Sequence, residues 1–266
     1  MNGKAAAFRR FILPALFFVA LLPLSLAAQN RPPSASRHSA AAPSGSEKIL
    51  FDATNRERAA EDLPPLLWDP ALAAAARKHA LRMAEERLLE HQYSGEDSLR
   101  ERVSAAGAHF SMAAENIAIG KDAESIHMSW MHSPGHRGNI LDPQLTSIGI
   151  AAVERRGYVF AAQDFSRAVE ALSLDQQETR VAGILKASGF QPVTASEDAR
   201  KTCADDTGHS GKPTTYIRFE TSDLTQLPDS VAARLGTIHS RSAAVGACLT
   251  KRTSGFTSYR LAILFF

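Results

Sequence analysis

The sequence predicts an α+β chain, with helices first and strands later. Three observations carry that reading. Asp69-Pro70 is a strong helix start, and Leu72, Ala76, Ala80, Met83 and Arg87 follow it at helical spacing. The period then shortens to two: Ile148, Ile150 and Ala152 alternate, as do Tyr158, Phe160 and Ala162, with Arg155-Arg156-Gly157 as the turn of a hairpin. Past about Ser166 a smaller α+β set follows. There 176–188 reads as a helix stopped by Gly189, and Tyr216, Arg218 and Glu220 alternate with Ile217, Phe219 and Thr221.

The remaining elements follow in order. Lys4, Arg9 and Arg10 precede an apolar run over 11–24, and Ser25-Leu26-Ala27 fits a small-x-small cleavage site, so 1–28 reads as a signal peptide. Pro14, Pro23 and a run shorter than the ~20 residues of a span count against a membrane helix that persists after cleavage. Residues 29–46, rich in Ser, Ala and Pro, read as a flexible linker. Ser46-Glu47 opens the first helix, whose Ile49, Leu50, Ala53 and Glu57 share a face. The helix behind Asp69 should run to about Leu89, a third should cover 98–106 before Gly107, and Asp122 should cap a fourth over 123–131. Pro134 lacks an N–H, so Ser133-Pro134 restarts a short helix and puts His136 in its first turn, where the dipole favours a neutral imidazole. Residues 230–235 read as a helix, and 244–249 and 258–266 as strands joined through Ser254-Gly255. No internal repeat is legible.

With 266 residues, 44% hydrophobic and 22% charged, the chain can form one large or two modest domains. A net charge of +2 and the lack of a basic run with interleaved aromatics argue against nucleic-acid binding. Two cysteines in an exported chain favour a Cys203–Cys248 disulfide, closing a loop of about 46 residues worth ~4 kcal/mol in the chain-entropy account.

Function points to the polar islands. Glu115-Asn116 and the run from His132 to Asn139 sit among core-like residues, as cleft linings do. Trp130-Met131-His132-Ser133-Pro134-Gly135-His136-Arg137-Gly138-Asn139-Ile140-Leu141 resembles the bacterial signature of the CAP superfamily, which includes cysteine-rich secretory proteins, antigen 5 and plant pathogenesis-related proteins. In order along the chain, Asn55-Arg56-Glu57-Arg58, the linker from Leu63 to Pro70, Glu90-His91, 114–118 and Gln163-Asp164-Phe165 also resemble family segments. The resemblance implies a three-layer α-β-α sandwich over 47–168; beyond it the residue pattern reads as a small α+β domain over 170–266, in which no family is recognised.

The family builds its pocket from two histidines and two glutamates. The resemblance makes His91 and His136 the histidines and Glu115 one glutamate; near the place of the other stands Ser133, while Glu124 should face elsewhere. A ligand groove is therefore expected around His91, Glu115, Asn116, Ser133 and His136. His91 and His136 are candidate ligands for a divalent metal such as zinc, although no cofactor is certain. Glu115 is the base if the protein is an enzyme. The same three residues could instead be a polar network pinning loops. Asn55 and Arg58 should tie the first helix to loops, Asn116 and Asn139 should cap backbone groups, and His79 should lie at the core edge or surface. The absence of a G-x-S-x-G elbow leaves no support for that class of serine hydrolase. The expected function is an exported, periplasmic or secreted binding module for a small amphiphile, a peptide or a cell-envelope component. The alternatives are a metal-assisted hydrolase using the same groove, or an adhesion protein docking through its C-terminal domain.

Overall fold

The computed structural model describes residues 42–43, 45–250 and 255–266; the expected signal peptide, most of the linker and Ser254 lie outside them. The first part of the chain forms α1 (Gly45–Ala60), β1 (Leu67–Trp68), α2 (Pro70–Glu86), α3 (Leu99–Ala105), β2 (Phe110–Gly120), α4 (Ala123–His132), α5 (Pro134–Ile140), β3 (Ser147–Arg155) and β4 (Tyr158–Ala168). Asp69 caps α2 as its position implies: Oδ1 accepts from the N–H groups of Ala71 (2.8 Å) and Leu72 (3.3 Å). The helix stops at Glu86 rather than near Leu89. Arg87 turns left-handed at φ 55°, and its N–H reaches Met83 O.

The four strands form one sheet in the order β1-β3-β4-β2, parallel between β1 and β3 and antiparallel elsewhere. On one face, Ala76, Ala80, Met83 and Ala84 of α2 pack on Ile117, Ala151, Phe160 and Ala162. On the other, Leu50 of α1, Ile126 and Trp130 of α4 and Ile140 of α5 pack on Ala118, Ile148, Ile150, Ala161 and Phe165. This is the expected α-β-α sandwich. The alanines of α2 let it lie close to the sheet, and at Gly149 the approach is closest: a Cβ there would stand 2.0 Å from Ala73 N. Strand β2 escapes the sequence reading because it is apolar on both faces with Glu115 and Asn116 breaking its alternation.

The second part forms α6 (Leu174–Ala187), β5 (Val193–Ala195), α7 (Glu197–Ala204), β6 (Thr215–Thr221), α8 (Asp229–Leu235), β7 (Ala243–Cys248) and β8 (Tyr259–Phe265). Helix α6 starts two residues earlier than expected, capped by Ser173, while α7 and β5 were not foreseen. Its sheet runs β5-β7-β8-β6, again parallel only between the first pair. This repeats the topology of the first sheet strand for strand, although no repeat is legible in the sequence. The correspondence reaches single residues. Asp69 N donates to Ile148 O (2.8 Å) as Ser196 N does to Val245 O (3.2 Å), and each of Asp69 and Ser196 caps the helix that follows. Gly246 then takes the place of Gly149, where a Cβ would stand 2.1 Å from Arg200 N. Cys203 and Cys248 form the expected disulfide. Counted from cap and glycine, they occupy the places of Ala76 and Ala151, which share a buried cluster in the first sheet. The smaller copy thus has a covalent staple where the larger one has an apolar contact.

The described residues form one compact unit. The last turn of the chain returns to the first sheet, where Thr257 N donates to Phe110 O (2.8 Å) and the rings of Phe110 and Phe256 lie 5.6 Å apart, edge to face. Among the described residues no helix is long and apolar enough to cross a membrane.

Candidate functional site

Strand alternation sends Glu115 and Ile117 to the α2 face of the sheet and Asn116 and Ala118 to the α1/α4 face. The two polar residues therefore serve different layers. On the α1/α4 face, Asn116 Nδ2 donates to His136 O (3.1 Å) and Gln163 Oε1 (3.0 Å), Asn139 Nδ2 donates to Asn116 Oδ1 (2.9 Å), and Gln163 Nε2 donates to Thr54 Oγ1 (2.8 Å). Arg58 clamps the same side, donating to Pro64 O, Ile140 O, Asp142 O and Leu145 O. Asn55 pairs in both directions with the Leu66 backbone. Together these bonds fix α5, and with it His136, against the edge strand β2.

On the α2 face, Glu115 is held between two partners. His91 Nδ1 donates to Oε1 at 2.8 Å, and Arg102 of α3 donates to Oε2. Arg102 also donates to His91 O (3.0 Å), which anchors the loop carrying that histidine. The Arg102 and Glu115 side chains are 2% and 3% exposed, a buried ion pair. His79 completes the back wall: Nδ1 lies 2.9 Å from Glu96 Oε1 and Nε2 lies 3.0 Å from Glu90 O. It is fully buried rather than at the core edge or surface, because α2 presents it inward one turn before Met83. Burial pushes the Glu96 carboxyl up, but the Tyr93 N–H, His79 and Arg102 together hold it below its ordinary value.

Asp164 lies directly across from Glu115 on β4 and is fully buried. Burial first, and the neighbouring Glu115 charge second, push its carboxyl well above the ordinary carboxylate range against the pull of Arg102. Neither Asp164 oxygen accepts a hydrogen bond from a described residue, and the adjacent Glu115 carboxylate can accept one, so the neutral acid suits this place. In the second sheet the row Glu115–Asp164–Gly149 becomes Arg218–Ala262–Gly246. Arg218 donates there to Thr202 O, Asp206 O and Gly208 O, so the polar site is not repeated.

Two imidazoles adjoin this base, His91 exposed and His136 half-buried. His91 is anchored through Nδ1, with its side chain 61% exposed. Its hydrogen bond to Glu115 raises its pKa, against a smaller lowering by burial. His136, in the first turn of α5 as expected, has a lowered pKa, but burial is the main cause and the His91 charge the second. His136 Nδ1 is buried without a partner. Ser133 takes the cap position of α5 but makes no side-chain cap bond. Glu124 is exposed on α4, as expected.

The metal expectation at His91 and His136 meets an obstacle. Both Glu115 oxygens are occupied, one by the Arg102 guanidinium, which repels a cation. Among the described residues no group of three or more His, Cys, Asp or Glu is placed to hold a metal ion. In this arrangement the residues do not fit a zinc centre, which needs three or four such ligands. Chemically the site offers a carboxylate-oriented imidazole and a second, neutral imidazole. Arg102, Glu96, Asp164 and His79 were missed as site residues. A charged residue inside the apolar strand around Asp164 was the available signal; no sequence spacing places Arg102 or Glu96 at Glu115.

Residues 51–165 match the model of the cysteine-rich secretory protein family, CAP. The uncharacterised protein YkwD of Bacillus subtilis is 38% identical over 109 residues, covering 41% of this chain and 42% of that relative. The uncharacterised membrane protein YlbC of Bacillus subtilis is 33% identical over 114 residues, covering 42% of this chain and 33% of the relative. A solved extracellular protein with an SCP domain from Bacillus anthracis is 31% identical, with a TM-score of 0.44, covering 46% of this chain and 40% of that one. The chain spans less than half the length of these relatives. The signature around Trp130 and His136 and the family-model match agree: residues 51–165 are similar to the CAP family.

Proposed function

We propose that the CAP domain is a ligand-binding module, exported to the periplasm or the cell exterior by its N-terminal segment, and that its ligand sits on the outer faces of His91 and His136. One observation carries this reading. The carboxylate that an enzyme would use as a base, Glu115, is tied to Arg102 and His91, whereas the exposed His91 edge and the solvent-facing part of the half-buried His136 ring are left for a ligand. His91 favours a ligand acceptor or anionic group, and neutral His136 a ligand donor. A small amphiphile, a peptide or a cell-envelope fragment carrying both groups meets that demand. Calorimetry with a panel of such compounds tests it: binding should be lost in His91→Ala and His136→Ala, and equal binding by both variants would move the ligand elsewhere.

A second reading, acid–base catalysis, is favoured by the Glu115–His91 pair, since a carboxylate that fixes the tautomer of an exposed imidazole is an arrangement hydrolases use. Turnover abolished by both His91→Ala and Glu115→Gln would establish it. The metal-assisted version further requires one-to-one zinc binding that vanishes in His91→Ala/His136→Ala.

A further inference from the structure

Helix α2 is too short to cover the far end of its sheet. Beyond Arg87 the tip of the β3–β4 hairpin is bare, and a cavity of about 290 Å³ opens among Ala84, Ile119, Phe160, Tyr158 and three arginines, Arg87, Arg155 and Arg156. Its floor is apolar: Phe160 is buried, while Ile119 and Tyr158 are 36% and 52% exposed. Its rim is cationic. None of the three arginines has a side-chain ion pair or hydrogen bond among the described residues, although ion pairs are common elsewhere on this surface. The nearest acid along the strand, Glu154, points to the opposite face by alternation with Arg155. The hollow lies on the Glu115 face, about 13 Å along β2 from Glu115 at ~3.3 Å per residue, and shares no lining residue with it.

We propose that this hollow binds a single small anionic amphiphile, with its tail on Ile119, Tyr158 and Phe160 and its phosphate or carboxylate head between the arginines. An apolar floor gains by losing water, and unpaired guanidiniums grip such heads with paired N–H donors. The cavity sits at the small end of ligand pockets, roughly 300–1,000 Å³, which suits one short chain rather than a bilayer. This site is independent of the reading given to His91 and His136.

Titration calorimetry with decyl phosphate, decanol and inorganic phosphate tests it on the full mature chain. Decyl phosphate should bind one to one, more weakly as salt rises, and the other two at least about tenfold more weakly, because each lacks half of the recognition. Arg155→Gln/Arg156→Asn, with Asn chosen because position 156 has φ 52°, should lower decyl phosphate affinity about tenfold without moving the melting temperature. Ile119→Gln, on the exposed floor, should weaken it through the tail. Decanol binding as tight as decyl phosphate, unchanged affinity in the arginine variant, or binding to anionic vesicles without binding of the monomeric amphiphile would each overturn the proposal. His91→Ala should leave this binding intact, which separates it from the groove around Glu115.

Discussion

Replacing Arg102 by Met should destabilise the first sheet strongly. The guanidinium and the Glu115 carboxylate are both nearly sealed from water, so the change strands a carboxylate opposite the equally buried Asp164. Breaking a buried pair from one side costs about 3–5 kcal/mol. Arg102 also gives up its bond to His91 O (3.0 Å), worth ~1 kcal/mol. Part of the loss is offset because His91 remains on Oε1, and removing the Arg102 charge, which lowers the His91 pKa, lets that ring hold its proton more firmly. The expected net loss is about 3 kcal/mol. Both tryptophans, Trp68 and Trp130, belong to the first sheet's layers, so urea unfolding followed by tryptophan fluorescence reports on this part of the chain. With an m-value of about 2 kcal/mol/M the midpoint should fall by about 1.5 M. Arg102→Met/Glu115→Gln should recover much of the loss, because no charge is then stranded. A single-variant loss below about 1 kcal/mol, the range of solvent-screened surface pairs, would refute the buried-pair reasoning.

Asp164→Asn should flatten the dependence of stability on pH. The folded pKa of Asp164 lies well above 3.8, so its contribution is full below that value and drains away as pH rises toward the folded pKa. Urea midpoints compared at acidic and neutral pH should therefore converge in the variant and diverge in the parent. Histidine NMR titrations should place His91 above and His136 below the ordinary value of 6.5, and His91→Ala should raise His136 by removing the neighbouring charge. Gly149→Ala and Gly246→Ala should each destabilise by about 1–3 kcal/mol or more in thermal melts, since a Cβ meets helix backbone rather than a flexible side-chain end. Cys203→Ala/Cys248→Ala should lose roughly 4 kcal/mol with the 45-residue closure, yet circular dichroism should retain the native secondary structure, because an alanine pair fills the same places in the first sheet.

The sequence by itself determined the starts of α2, α4 and α5, the β3–β4 hairpin and the place of His136 in the first turn of α5. Asp69, Asp122, Ser133-Pro134 and the alternation after Ile148 act over a few residues, and local backbone chemistry is enough to express them. The family signature added the sandwich and the grouping of His91, Glu115 and His136. Only the tertiary structure decided what those residues touch. Arg102 and Glu96 come from a segment whose spacing encodes no partner, Asp164 reaches Glu115 through strand register, and His79 turns inward because α2 lies flat on Gly149. The repeated topology was invisible for a related reason. Strand order depends on which faces are apolar and where a glycine lets a helix approach, and many residue choices satisfy both. The second sheet therefore reaches the arrangement of the first with a disulfide in place of Ala76 and Ala151 and an arginine in place of Glu115.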